Sequence, residues 1–291
     1  ARYYDARGKE IVLPPRGHVH YQALGAALLQ GPVYADLIDA PAELLPILQD
    51  IQPITPPPFV RKGIDLFKDR WPIKLFGEGT IRGTGGLRII DEDCGTTAPG
   101  LYAAGDAATR ELATGAISGG GAVNSAWALT SGQIAGAAAA RRALSSRNRL
   151  AGKARAVGTV GIHPASAERT IDRKAIEADV DHHMNGYRHS LWRSEAQLTD
   201  SLALLDDHWR TLGDHGRAKG LALVGLRETV AMTATARWCT AAAIARKESR
   251  GIHVRVDAPG LRPDGAVRLL TGGLDRVWTR PESRAYAEAA A

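Results

Sequence analysis

The chain has little cysteine, methionine or phenylalanine: two, two and three among 291 residues. Cys94 and Cys239 stand far apart, which excludes a disulfide framework and any paired C-x-x-C metal spacing. They read as reduced thiols of a cytoplasmic protein. No uninterrupted apolar run reaches the ~18 residues that a membrane span needs. The opening A-R-Y-Y-D-A-R-G-K-E is polar and does not read as a secretory signal. Neither sign of charge dominates: 37 basic against 31 acidic residues leave +6. With aromatics at 5% and no basic motif interleaved with them, a nucleic-acid partner is not expected. A strand followed by G-x-G-x-x-G and a helix, the signature of a dinucleotide pyrophosphate site, is also missing.

Glycine is plentiful, at 32 residues. Ahead of the glycine-rich centre, Lys9 to Leu13 alternates as a weak strand. His18 to Gln30 suits a helix, Gly31-Pro32 stops it, and Val33 to Ile38 reads as a strand. Ala40 to Ile51 suits a short helix. The prolines at 53 and 56 to 58 point to an extended loop. Leu87 to Ile90 and Leu101 to Ala104 read as short apolar strands around a polar turn, Asp91 to Pro99. The small residues from Gly121 to Arg142 form a helix. Leu144 to Gly161 is serine- and arginine-rich and reads as a linker. Beyond it, Leu198, Leu202, Leu205, Trp209 and Leu212 repeat at helical steps, as do Leu223, Leu226, Val230, Ala234, Ala241 and Ile244. Gly213 and Gly216 supply the turn between these helices, which form an antiparallel bundle. Arg255 to the end reads as irregular.

Chemistry concentrates between residues 84 and 140. In L-Y-A-A-G-D, an apolar strand ends on Gly105, where a side chain would block close approach, and Asp106 follows. A carboxylate there accepts hydrogen bonds from sugar-like hydroxyls, such as those of a flavin ribityl chain; A-G-D is equally an ordinary turn. Gly119, Gly120 and Gly121 lead into a helix whose first-turn amides lack intrahelical partners and favour negative charge. In a reduced flavin that charge develops at the pyrimidine end of the ring, which makes Gly121, Ala122, Val123 and Asn124 candidate contacts. The alternative is a glycine hinge that lets a small-residue helix pack closely. His182, His183 and His189 have no carboxylate pair to complete a metal shell and read as solvated.

These motifs resemble the carboxyl-terminal part of the fumarate reductase and succinate dehydrogenase flavoprotein family, whose relatives include L-aspartate oxidase and the adenylylsulfate reductase alpha subunit. T-G-G-L-R-I-I-D-E-D, P-G-L-Y-A-A-G-D and G-A-I-S-G-G-G-A-V-N-S-A carry the likeness. A-R-K-E-S-R-G-I-H-V-R-V-D at 245 to 257 matches the family pattern R-x-E-S-R-G-A-H-x-R-x-D. Pro14-Pro15-Arg16 and G-P-V-Y-A-D-L at 31 to 37 look like its covering domain. The resemblance implies FAD as cofactor, with Asp106 on the ribityl chain and Gly85 and Gly86 beside the ring. It implies a proton-delivering role for Arg16, which Gly17, standing where the family has aspartate, puts in doubt. It assigns Glu248 to His253 a mostly structural role.

The same comparison shows losses. The substrate histidine of the family's H-Y-T-M-G-G falls at or near Ile81, and the arginine of G-A-N-R-L-G-G-N-S has no counterpart. Fumarate and succinate are therefore not the expected substrates. The expected architecture is α/β plus α: a partial capping domain over 1–80, the C-terminal segment of an incomplete Rossmann-like FAD-binding domain over 81–145, and a helical domain over 146–291. The expected function is hydride transfer between flavin and a small organic substrate. The expected partners are a missing N-terminal Rossmann segment or partner chain and an iron-sulphur electron-transfer subunit. The alternative is a non-catalytic fragment that docks through its helices.

Overall fold

A computed structural model of the chain describes residues 1–15, 18–41, 43–51, 56–76, 86–110, 120–145 and 171–282. In chain order the elements are β1 (Arg2–Tyr4), α1 (His18–Gln30), β2 (Val33–Asp36), α2 (Leu44–Ile51), α3 (Pro56–Val60), β3 (Trp71–Ile73), α4 (Gly120–Ser145), α5 (Arg173–Asn185), α6 (Tyr187–Leu191), α7 (Glu195–His215), α8 (Leu221–Ala245), β4 (Leu269–Gly272) and β5 (Trp278–Pro281). They fall into two compact units. One comprises Ala1–Gly77 with Gly161–Glu282, the other Glu78–Val160 with Ser283–Ala291.

In the first unit β1, β2 and β3 form an antiparallel sheet in that order, with Arg2 opposite Asp36 and Val33 opposite Ile73. The strand expected at Lys9 to Leu13 is not formed; only Glu10 bridges back to Tyr4. The helix over His18–Gln30 is as expected. The proline run is not an extended loop throughout, because Pro56, Pro57 and Pro58 open α3. First-turn amides have no intrahelical partner, so proline loses nothing there and its fixed φ suits a helix start.

The helical part of this unit has a shared core. Leu205 and Leu212 of α7 meet Ile176 and Val180 of α5 and Leu226 and Ala236 of α8. Ser194 caps α7 by accepting from Gln197 N at 3.3 Å, and Asp172 caps α5 from Ala175 N at 3.1 Å. Gly213 lies inside α7, so the turn to α8 is made by Gly216, whose N–H returns to Leu212 O, and by Gly220 at φ +58°. The tail is not wholly irregular: β4 and β5 pair as an antiparallel hairpin. Arg237 and Trp238 of α8 hold its turn through the carbonyls of Leu274 and Gly273, at 2.5 and 2.8 Å. Tyr187 of α6 bonds both backbone groups of Leu75, and Gln22 of α1 donates to Leu191 O at 2.7 Å. Leu205 is fully inaccessible to solvent. Leu205→Ala should cost about 2–5 kcal/mol, since such cavities close only partly; urea denaturation followed by circular dichroism reads the loss.

In the second unit neither Leu87 to Ile90 nor Leu101 to Ala104 forms a strand. Leu87 makes a single parallel bridge to Ala108, and Tyr102 a single antiparallel bridge to Gly95. Leu87, Ile90 and Leu101 are each about half exposed, so little burial rewards extension of those ladders. Helix α4 turns Ser131, Ala135 and Ala138 inward, at one-turn steps. The linker expected over 144 to 161 lies outside the described residues beyond Ser145. No parallel Rossmann sheet is among the described residues. No described helix is long and apolar enough to cross a membrane.

Candidate functional site

The glycine-acid turn is a short 3-10 turn, Gly105–Ala107, pinned to α4 at two atoms. Gly105 N donates to Ser131 Oγ at 2.9 Å, and Trp127 Nε1 donates to Gly105 O at 2.8 Å. Ser131 is buried and donates in turn to Trp127 O within its own helix. Gly105 has φ +59°, a left-handed conformation that glycine adopts at little cost. The result is a backbone corner whose next residue, Asp106, is exposed.

Gly86 fits against this corner. Its φ is +89°, and an added Cβ would sit 2.7 Å from Ala107 O. Leu87 N donates to the same carbonyl at 2.7 Å, and Thr109 N to Leu87 O at 2.9 Å. Arg110 is buried and donates through Nη1 to Asn124 Oδ1 in the first turns of α4. The structure therefore brings Gly86, Gly105 and Asp106 together on one side, and joins the following segment to Asn124. Gly121 and Ala122 lie in the first turn of α4, and Val123 is partly exposed. Arg16, Ile81, Arg82, Gly85 and Gly119 lie outside the described residues. Sequence reasoning missed Ser131 and Trp127. A serine and a tryptophan one turn apart on an alanine-rich face were the available signal, since buried polar groups there need partners.

The E-S-R-G-I-H segment forms a closed network. Glu248 is 1% exposed and accepts from Arg246 Nη1 at 2.8 Å, Arg250 Nε at 2.9 Å and Arg262 N at 2.8 Å. Arg255, equally buried, makes a fork to Asp257 with both bonds at 2.7 Å and caps Ala243 O at the end of α8. Asp257 accepts Glu195 N at the start of α7, so one cluster ties the two helix ends. Arg193 Nη1 donates to His253 Nδ1 at 2.9 Å, which puts the imidazole proton on Nε2, facing Arg246 O at 3.1 Å.

Two groups in this cluster are displaced in acid strength. Burial first, and then the guanidiniums of Arg193, Arg246 and Arg255, push His253 down to about 4, against the Arg246 carbonyl. The Arg250 side chain, the Arg262 amide and the Arg246 side chain hold Glu248 at about 2. Between about 6.5 and 4 the unfolded chain therefore binds a proton at residue 253 that the folded chain does not. Stability is full above about pH 6.5 and falls as pH drops toward 4; Glu248 adds a further loss as pH falls from the usual carboxylate range toward 2. Urea midpoints should thus decline from pH 7 to pH 4, by on the order of 2 kcal/mol for the histidine, and His253→Gln should flatten that slope.

The three histidines are not all solvated. The Gly186 turn ends α5 and folds α6 back, so the His189 ring meets those of His182 and His183 at 4.7 Å each. His183 and His189 are half-buried, and His183 Nδ1 pairs with Ser201 Oγ at 2.7 Å. No described group of His, Cys, Asp and Glu side chains has the arrangement to hold a metal ion.

Residues 185–271 match the family described as fumarate reductase flavoprotein C-term. Comparison with curated proteins yields no match. Among solved structures, an E. coli quinol fumarate reductase, a point variant of FrdA, aligns with a TM-score of 0.59 at 18% identity, over 96% of this chain and 53% of that one. Mycobacterium smegmatis Sdh1 in complex with UQ1 aligns with a TM-score of 0.57 at 22% identity, over 96% of this chain and 49% of that one. The chain therefore spans about half the length of these structures. By family match over its helical part and by fold along most of its length, it is similar to the carboxyl-terminal portion of a fumarate reductase or succinate dehydrogenase flavoprotein.

Proposed function

We propose that this chain is the carboxyl-terminal part of an FAD-dependent oxidoreductase. The observation that carries the reading is the exposed Asp106 on a left-handed glycine corner anchored to α4 by Ser131 and Trp127. Gly86 and Gly105 let the backbone pack closely, Gly86 against Ala107 and Gly105 against Ala128 of α4, and that packing fixes the corner from which Asp106 stands exposed to meet FAD. Asp106 accepts hydrogen bonds from the ribityl hydroxyls. Gly85 and Gly86 lie beside the isoalloxazine, and the start of α4 favours negative charge at its pyrimidine end, with the free amides at Gly121 and Ala122 and with Val123 and Asn124 as the next contacts. Bound flavin supplies the hydride acceptor or donor for a small organic substrate.

Arg16 is the residue proposed to deliver a proton to substrate from its guanidinium. Arginine is protonated at all ordinary pH values, with a pKa above ~12, so it serves only within a cationic relay. The missing histidine near Ile81 and the missing arginine of the family's clamp make fumarate and succinate the wrong substrates. In this reading 1–80 is part of a capping domain, 81–145 the end of the FAD-binding domain and 146–291 the helical domain. The pyrophosphate is held by a Rossmann segment or chain that carries G-x-G-x-x-G, electrons pass to an iron-sulphur subunit, and the assembly is cytoplasmic.

The assembly purified from its native host should be yellow after FAD is added and desalted. Addition of succinate should leave the flavin spectrum unchanged. An assembly that stays colourless with excess FAD overturns the cofactor assignment, and bleaching by succinate overturns the substrate assignment.

A further inference from the structure

Most arginines around the start of α7 and along the second half of α8 are matched to carboxylates. Arg246 and Arg250 share Glu248, Arg255 takes Asp257 and Glu195, Arg237 takes Asp206, and Arg262 takes Asp264. Glu195 is further engaged by Lys247. Arg193 is different. It is half-buried, no carboxylate among the described residues reaches it, and its side-chain hydrogen bond is the one from Nη1 to the His253 ring. The Cys239 thiol also interacts with it, but burial pushes that thiol up and so keeps it uncharged.

A guanidinium taken partly out of water without a counter-charge is costly, and burial pushes its acidity in the direction that reports this cost. The imidazole does not compensate, since it is neutral. The guanidiniums of Arg246 and Arg255 also add positive potential at that ring, although each has its own carboxylate. The Nη1 bond leaves the Nε and Nη2 edge, and neither nitrogen is among the solvent-inaccessible atoms. That edge carries two parallel N–H groups spaced for the two oxygens of a carboxylate or phosphate. Arg193 also immediately precedes Ser194, the cap of α7, whose amino end favours negative charge.

We propose that Arg193 anchors an oxyanion-binding site, taking a carboxylate or phosphate on its Nε–Nη2 edge while Nη1 stays on His253. The site is independent of the flavin reading and lies wholly among residues of the first unit. The oxyanion comes from a free anion or from an acidic group of another molecule, and the chemistry at Arg193 is the same.

The test is a titration of the purified chain with inorganic phosphate and, separately, with acetate, against sodium chloride at equal ionic strength. The His253 ring signals in NMR report on the site, and the His208 ring, paired with Asp179 on α5, serves as the control. A saturable shift of His253 alone is expected, with chloride inert. A response to phosphate only identifies a phosphate source, and a response to acetate a carboxylate source. Arg193→Gln should weaken the response at least about tenfold, since it removes the charge and the fork. Arg193→Lys keeps the charge, folds without a new buried vacancy, and should still lose about tenfold because ammonium has no fork. No saturable shift with either anion, or unchanged affinity in Arg193→Lys, overturns the proposal.

Discussion

Glu248→Ala is expected to destabilise the first unit by about 2–4 kcal/mol, less than the loss of a wholly buried ion pair because the Arg250 and Arg246 side chains reach solvent. The carboxylate is 1% exposed and is shared by Arg246, Arg250 and the Arg262 amide. Without it, the two partly exposed guanidiniums lose their counter-charge and the Arg262 amide loses its acceptor. The same carboxylate fills the space that a side chain at residue 265 would occupy: an added Cβ at Gly265 would overlap both Glu248 oxygens. Gly265→Ala should therefore reproduce part of the loss from the opposite side. In thermal unfolding followed by circular dichroism, Glu248→Ala should melt about 10 °C lower for a unit of this size. Glu248→Gln should fall between the two, since it keeps volume and one acceptor. A change below about 1 kcal/mol in Glu248→Ala would place the cohesion of this corner elsewhere.

Asp106→Ala should weaken flavin binding by about ten- to a hundredfold, the loss of one or two hydrogen bonds to a charged acceptor. Asp106 is exposed, and the turn is held through the backbone of Gly105, so the unliganded protein should keep its stability within about 0.5 kcal/mol. That separation makes the experiment decisive. Ser131→Ala should act in the opposite pattern, lowering stability first and flavin affinity through loss of the corner. Flavin fluorescence quenching and a melting curve on each variant provide both readings. Equal affinity in Asp106→Ala and the parent would remove Asp106 from the cofactor site.

Much of the helical part was legible as pattern. Leu198, Leu205 and Leu212 repeat at one face, and each is buried. Helix α1 follows from an apolar run stopped by Gly31-Pro32. Short strands were not legible in the same way. Leu87 to Ile90 has the composition of a strand, yet a strand exists only if a neighbour supplies hydrogen bonds, and here one bridge forms. The hairpin of β4 and β5 was missed for the converse reason. None of its residues is buried, and it is held by Arg237 and Trp238 from a helix some thirty-five residues earlier in the chain.

The candidate site divides along the same line. Glycine at 86 and 105 and an acid at 106 are local facts, because close approach and left-handed backbone depend on the residue itself. The helix-forming stretches and the E-S-R-G-I-H motif are local facts too. Where Ser131 and Trp127 reach, which arginines share Glu248 and why Arg193 has only an imidazole are decided by packing. Periodicity and conformational preference act between residues a few positions apart, so sequence alone reveals them. Hydrogen bonds and ion pairs between distant segments depend on distances that exist only after the chain has closed on itself.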